Sequence, residues 1–213
     1  CLASFICSSF SNIPRITRNI ENLCDQFGHK IQMGNHIRNT FPTPQDLANA
    51  GEKTLRALGL GYRAKTLAAT SKKIADGGID LYGLRNIPYS DALGQLITLP
   101  GVGDKVANCV LLFSLDKPGA FPVDVWIHRV LNELYSENLH SYAKKCDKNL
   151  RKNIAVSHRN ICVPTETTKP IPNRSVVTSP KKTRMWAQKH FGPYAGYVNH
   201  YLFHDRRLQR TNQ

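Results

Sequence analysis

Two stretches with apolar residues at helical spacing, one through Leu93, Leu96 and Ile97 and one through Val106, Cys109, Val110 and Phe113, are separated only by Leu99-Pro100-Gly101-Val102-Gly103. A proline and two glycines within five residues cannot continue a helix, so the chain must reverse direction there. The result expected over about residues 90–115 is a hairpin of two helices joined by a tight Gly-x-Gly turn, with Ser90-Asp91 capping the first and Asp104 opening the second. Such a turn leaves backbone N–H groups at a helix start facing outward, and glycines let an anion approach closely.

The rest of the chain is helix upon helix. Cys1 to Cys7 reads as a short buried helix. Ile13, Ile16, Ile20, Leu23 and Phe27 form an amphipathic stripe that Gly28 would stop. Thr43-Pro44-Gln45-Asp46 carries a cap, a proline at the first helical position and an acid at the third, and Gly51 would close that helix. Leu67, Ala68, Ile74 and Ala75 give another, ended by Gly77-Gly78, and Trp126, Ile127, Val130, Leu131 and Leu134 give one that reaches Tyr135. No alternating run of β-branched residues is long enough for a strand. The fold class expected is all-α.

From Ser136 to Arg184 the composition changes: eleven basic residues against three acidic ones, and prolines at 164, 170, 172 and 180. With few large apolar side chains to offset ordering entropy, residues 136–184 are expected to be a disordered basic insertion between a core at 1–135 and a closing helical segment at 185–213. The whole chain has a net charge of +14, and +6 remains outside that segment. A polyanion is therefore the expected partner. No apolar run approaches the roughly eighteen residues of a membrane span. The six cysteines, at 1, 7, 24, 109, 146 and 162, include no CxxC pair, so they read as intracellular thiols rather than metal ligands. The chain starts at Cys1 without Met, and upstream sequence is expected to be missing.

Two charged residues carry the candidate chemistry. Lys105 falls in the first turn of the hairpin's second helix, where it could simply meet a phosphate. A positive charge at a helix N-terminus is, however, disfavoured by about 0.3–1 kcal/mol, and burial under a nucleotide would press further toward the neutral, nucleophilic amine. Asp124, nineteen positions on, could be an ordinary helix cap. A carboxylate held there also suits the positive charge that develops at a sugar C1′ when its base departs. Amine and carboxylate together fit cleavage of an N-glycosidic bond through a Schiff base.

Five blocks then become specific: Cys1 to Ser9, Gly59-Leu60-Gly61-Tyr62-Arg63-Ala64, Leu99 to Lys105, Asp116-Lys117-Pro118 with Pro122-Val123-Asp124-Val125, and Gly192-Pro193-Tyr194-Ala195-Gly196. Together they resemble the 8-oxoguanine DNA glycosylase/AP lyase family, within the helix-hairpin-helix glycosylase superfamily. The resemblance implies two helical lobes around a cleft, a damaged nucleotide flipped out of duplex DNA, Lys105 as nucleophile and Asp124 as its acidic partner. It implies that Cys109 and Phe203 sandwich the flipped purine, with plain core packing as the alternative. Asn199 stands where the family has a Gln that reads the base edge. Tyr62 matches a residue wedged into the vacated stack. Arg63 and Arg15 match the pair that reads the orphaned cytosine, with phosphate binding or solvation as the alternative. Gly101 and Gly103 would hold DNA backbone.

The resemblance further implies a monomer that needs no cofactor, works inside the cell, in a nucleus or a bacterial cytoplasm, and has no side-chain metal site. A structural cation on the hairpin's backbone carbonyls is implied as well. Phe10 replaces a family Asn near the flipped base's former place. Trp126 replaces a phosphate-binding His, with His128 two positions on. The family's N-terminal domain, whose backbone carbonyl distinguishes 8-oxoguanine from guanine, is expected to be missing from this stretch of sequence. Reactivity on bare abasic sites and a non-catalytic DNA-binding fragment therefore remain open alternatives.

Overall fold

The computed structural model describes residues 1–157 and 178–211. The chain divides into two compact units, Cys1–Pro122 and Val123–Gln213.

In the first unit the order is α1 (Leu2–Cys7), α2 (Ile13–Phe27), β1 (Lys30–Met33), β2 (His36–Asn39), α3 (Pro44–Leu55), α4 (Arg63–Ala75), α5 (Tyr89–Ile97) and α6 (Asp104–Ser114). Two of these helix starts carry side-chain caps, whereas the expected Ser90-Asp91 cap is not formed: α5 begins at Tyr89 behind Pro88 without a side-chain cap, and Ser90 and Asp91 lie within its first turn. Asn12 caps α2 by accepting from the Arg15 amide, and Thr43 and Asp46 form a reciprocal capping box on α3. Gly51 does not close α3: it adopts φ 69° and breaks the helix, which continues to Leu55. Leu23, Leu55, Leu60, Leu67, Leu84, Leu96 and Leu111 fill one apolar core, with α1 laid against α6. The unforeseen element is the antiparallel hairpin β1–β2, registered Lys30↔Asn39 to Met33↔His36 around Gly34-Asn35. It is four residues per strand and almost wholly exposed, so no face is buried to impose a readable alternation.

The second unit contains α7 (Val125–Ser157), α8 (Pro180–Phe191) and α9 (Ala195–Thr211). The unit boundary falls at Pro122, and α7 runs through residues assigned above to both the core and the insertion. Residues 136–157 are helical because Leu139 and Ala143, four apart, are both buried and give this basic helix an apolar stripe. Order also begins before Trp186: Ser179 caps α8 through the Lys182 amide, and Thr178, Thr183 and Arg184 are buried. Residues 158–177 lie outside the described residues. Tyr135 leaves helical geometry at φ −135° and packs its ring 5.2 Å from Trp186, beside His190 and Phe191. Arg206 pairs with Glu133 and ties α9 to α7. Among the described residues no helix is long and apolar enough to cross a membrane.

Candidate active site

The hairpin turn is shaped by what it buries. Leu99 and Val102 point into the core, which turns Pro100, Gly101 and Gly103 outward. The Val102 amide donates to the Leu99 carbonyl at 3.1 Å. Three residues at helical spacing on α4 brace the turn. Thr70 Oγ1 donates to the Pro100 carbonyl at 2.8 Å, and Lys73 Nζ donates to the Thr98 carbonyl at 3.1 Å. Thr66 presses on Gly101, where a Cβ would come within 1.9 Å of its Cγ2. Gly101 also needs φ +69°, so two independent constraints demand glycine. Gly103 faces open space and gives the first turn of α6 no side-chain cap. The carbonyls of Thr98, Leu99 and Pro100 each already accept a hydrogen bond. A cation on this backbone would have only their second lone pairs.

Lys105 follows on α6, half-buried, its Nζ 5.0 Å from the Phe5 ring centroid and 3.5 Å from Ser8 Oγ. Phe5 is itself stacked on Phe113 at 5.9 Å, so an aromatic pair forms the floor beneath the amine. Within Cys1–Pro122 no carboxylate pairs with Lys105. The contact to Ser8 is long and weak, which leaves the amine on a short tether rather than in an ion pair. Ser8 and Phe5 were not singled out from the sequence. Both lie in the block Cys1 to Ser9, Phe5 within α1, which packs on α6, and Ser8 as the cap that ends it.

Asn108 also escaped the sequence reading. It is fully buried; its Oδ1 accepts from Tyr89 Oη at 2.7 Å and from the Phe121 amide at 3.3 Å, while its Nδ2 donates to the Asp104 carbonyl at 2.8 Å. One side chain thus joins both hairpin helices to the segment that leads toward Asp124.

Asp124 caps α7: its Oδ1 accepts from the Ile127 amide at 2.8 Å. The cap fixes the carboxylate's direction, and among the described residues no hydrogen bond engages Oδ2. Cys109 sits one turn beyond Lys105 on α6 and is 3% exposed. Asn199 and Phe203 lie one turn apart on α9, the first buried and the second half-buried.

The residues expected to meet DNA divide. Arg15 is exposed and lines a groove of about 660 Å³ with Asn12, Arg18, Asn22 and Gly59. Tyr62 is 53% exposed. Arg63 is not beside Arg15 on that surface: it is 4% exposed, and its guanidinium donates to the carbonyls of Ser9 (2.7 Å), Phe10 (2.8 Å) and Leu60 (3.5 Å). The His128 ring is likewise occupied. Its Nε2 lies 2.7 Å from the Thr178 carbonyl, which can only accept, so Nε2 carries the hydrogen and Nδ1 faces Asn132 Nδ2 at 3.4 Å.

Residues 3–155 match the HhH-GPD superfamily base excision DNA repair protein family. The chain belongs to the HhH-GPD superfamily. It is 34% identical over 214 residues to an N-glycosylase/DNA lyase of Saccharomyces cerevisiae, covering 95% of this chain and 53% of that protein. It is 38% identical over 134 residues to an N-glycosylase/DNA lyase of Arabidopsis thaliana, covering 61% of this chain and 37% of that one. Among solved structures, the Clostridium acetobutylicum 8-oxoguanine glycosylase/lyase in complex with double-stranded DNA containing cytosine opposite 8-oxoguanine superposes with a TM-score of 0.75. That match is 28% identical and covers 98% of this chain and 59% of the other. An HhH-GPD chain of this length therefore spans about half of the yeast relative.

Proposed function

We propose that the chain is a bifunctional DNA glycosylase and abasic-site lyase that removes oxidised guanine paired with cytosine. The observation that carries this reading is the setting of Lys105: half-buried in the first turn after a braced Gly-x-Gly hairpin, on an aromatic floor, with no carboxylate partner in its own unit. A half-buried lysine at the head of α6 suits a nucleophile that must meet a sugar carbon in a flipped nucleotide.

In the proposed reaction the outward-facing amides of the turn take the DNA backbone, and the damaged nucleotide leaves the stack. Lys105 Nζ forms a bond to C1′ as the C1′–N9 bond breaks, its electron pair leaving with the base, which takes up a proton. Asp124 stabilises the positive charge that develops at the sugar. Ring opening converts the adduct to a Schiff base. Loss of a C2′ proton then expels the 3′ phosphate, and water releases the lysine. This sequence balances without an added cofactor, and the enzyme acts as a monomer on duplex DNA inside the cell. The relatives' names as glycosylase/lyases and the DNA held by the Clostridium protein support the reading.

The test uses three duplexes: 8-oxoguanine opposite cytosine, a bare abasic site opposite cytosine, and undamaged DNA. Strand cleavage on the first two is expected. Cleavage at the abasic site alone would confine the chain to lyase chemistry, and binding without cleavage on any duplex would make it a non-catalytic module.

A further inference from the structure

The groove along α2 contains a buried donor that the fold itself does not use. The groove lies wholly within Cys1–Pro122 and has a volume of about 660 Å³. Arg15, Arg18, Asn19 and Asn22 line it from α2, and Leu58 and Gly59 line it from the segment before Tyr62. Two of its asparagines are committed to the fold: Asn12 Oδ1 accepts from the Arg15 amide at 3.0 Å, and Asn22 Nδ2 donates to the Leu58 carbonyl at 3.1 Å. Asn19 is different. It is 3% exposed, and its Nδ2 has no hydrogen-bond partner among the described residues. A Cβ at Gly59, whose φ of +89° favours glycine, would stand 3.9 Å from Asn19 Oδ1, so the missing side chain leaves the wall beside this amide open.

A buried donor without a partner carries its full desolvation cost, and an apolar residue of the same shape would avoid it. On the wall of a groove, such a donor marks a place for an acceptor. The neighbouring charges specify which acceptor. Arg15 and Arg18, three residues apart on α2, both line the groove, and among the described residues no ion pair engages either. Asp25, the one carboxylate on the lining, lies seven residues beyond Arg18 and accepts from Asn39 Nδ2 at 2.8 Å. Guanidinium forks beside a neutral amide donor match the several acceptor oxygens of a phosphate, and the groove has room for the sugar attached to it. We propose that this groove is a phosphate-ester site in which Arg18 and Asn19 Nδ2 donate to the phosphate oxygens. On the glycosylase reading the ester is a backbone phosphate of duplex DNA; without that reading it is a free phosphate monoester. The two donors leave different signatures, because only the arginine releases counterions when it meets a polyanion.

The test compares the full 213-residue chain with Arg18→Gln and Asn19→Leu. In the first arm an undamaged duplex is titrated by fluorescence anisotropy over a range of salt concentrations. Arg18→Gln should weaken binding by about tenfold and make the plot of log affinity against log salt shallower by about one. Asn19→Leu should also weaken binding by about tenfold but leave that slope unchanged, since the amide is neutral. Its melting temperature should not fall, because the donor it removes has no partner in the fold. In the second arm thymidine 5′-monophosphate is titrated into the DNA-free protein by calorimetry. Duplex affinity lost in both variants with these slopes assigns the site to the DNA backbone. Unchanged duplex affinity, with nucleotide binding lost in both variants, assigns it to a free phosphate monoester. Variants that match the unaltered chain in both arms overturn the site, as does a loss in Arg18→Gln that Asn19→Leu does not share. If the unaltered chain binds no duplex, the glycosylase reading falls and the site is decided by the second arm. If it binds duplex and both variants bind it equally well, with no nucleotide bound, only the site falls.

Discussion

Gly101→Ala is the sharpest test of how the hairpin is built. A non-glycine residue at φ +69° costs about 1–2 kcal/mol by backbone strain alone. The new Cβ would also lie 1.9 Å from Thr66 Cγ2, where an apolar contact ordinarily sits at about 3.5–4.0 Å. Either Thr66 or the turn must move, at the usual overpacking cost of about 1–3 kcal/mol, and movement of the turn threatens the Thr70 bond to the Pro100 carbonyl. The expected destabilisation is about 2–5 kcal/mol, read from urea unfolding followed by circular dichroism. Repeating the substitution in a Thr66→Ala background removes the steric part and should leave only the strain, about 1–2 kcal/mol. The reasoning is refuted if Gly101→Ala costs less than about 0.5 kcal/mol, or if its cost is the same in both backgrounds.

Other expectations follow from the same geometry. Asn108→Leu removes three buried hydrogen bonds and should destabilise the fold by about 2–3 kcal/mol in the same unfolding assay, with no change expected if Asn108 is not a staple. Asp124→Asn should keep its melting temperature, since Asn caps a helix about as well, while single-turnover cleavage falls by about 10²–10³-fold; an unchanged rate would remove Asp124 from the chemistry. Burial pushes the Cys7 thiol up to about 11, with Arg63 opposing the shift only in part. Native protein at pH 8 should therefore leave Cys7 unmodified by a disulfide reagent that labels the exposed Cys1. Because folded Cys7 keeps its proton where the unfolded thiol, near 9, has lost it, this residue's contribution to stability is complete below about pH 9 and declines toward pH 11.

What the sequence disclosed and what it hid divide by range. The hairpin, the capping box at Thr43 and the Asp124 cap are contacts between residues three or four apart, so spacing alone could reveal them. Lys105 was legible because its place after Gly103 fixes it in the first turn of α6. The burial of Arg63 was not legible because its acceptors, Ser9 and Phe10, lie more than fifty residues away, and no local pattern announces that a guanidinium will be buried. Asn108 was missed for the same reason at shorter range: its partners Tyr89 and Phe121 stand outside α6. The helix over 136–157 was hidden by composition, since its basic residues and the prolines that follow outweighed a sparse apolar stripe, of which Leu139 and Ala143 are buried.

The central claim is that Lys105 Nζ bonds to C1′. Borohydride reduction during reaction with a duplex carrying 8-oxoguanine opposite cytosine should trap a covalent protein–DNA adduct, and peptide mass spectrometry should place the deoxyribose-derived mass on Lys105. Lys105→Gln should give no adduct while still binding the duplex. An adduct that persists in Lys105→Gln, or a mass located on any other residue, would contradict the account.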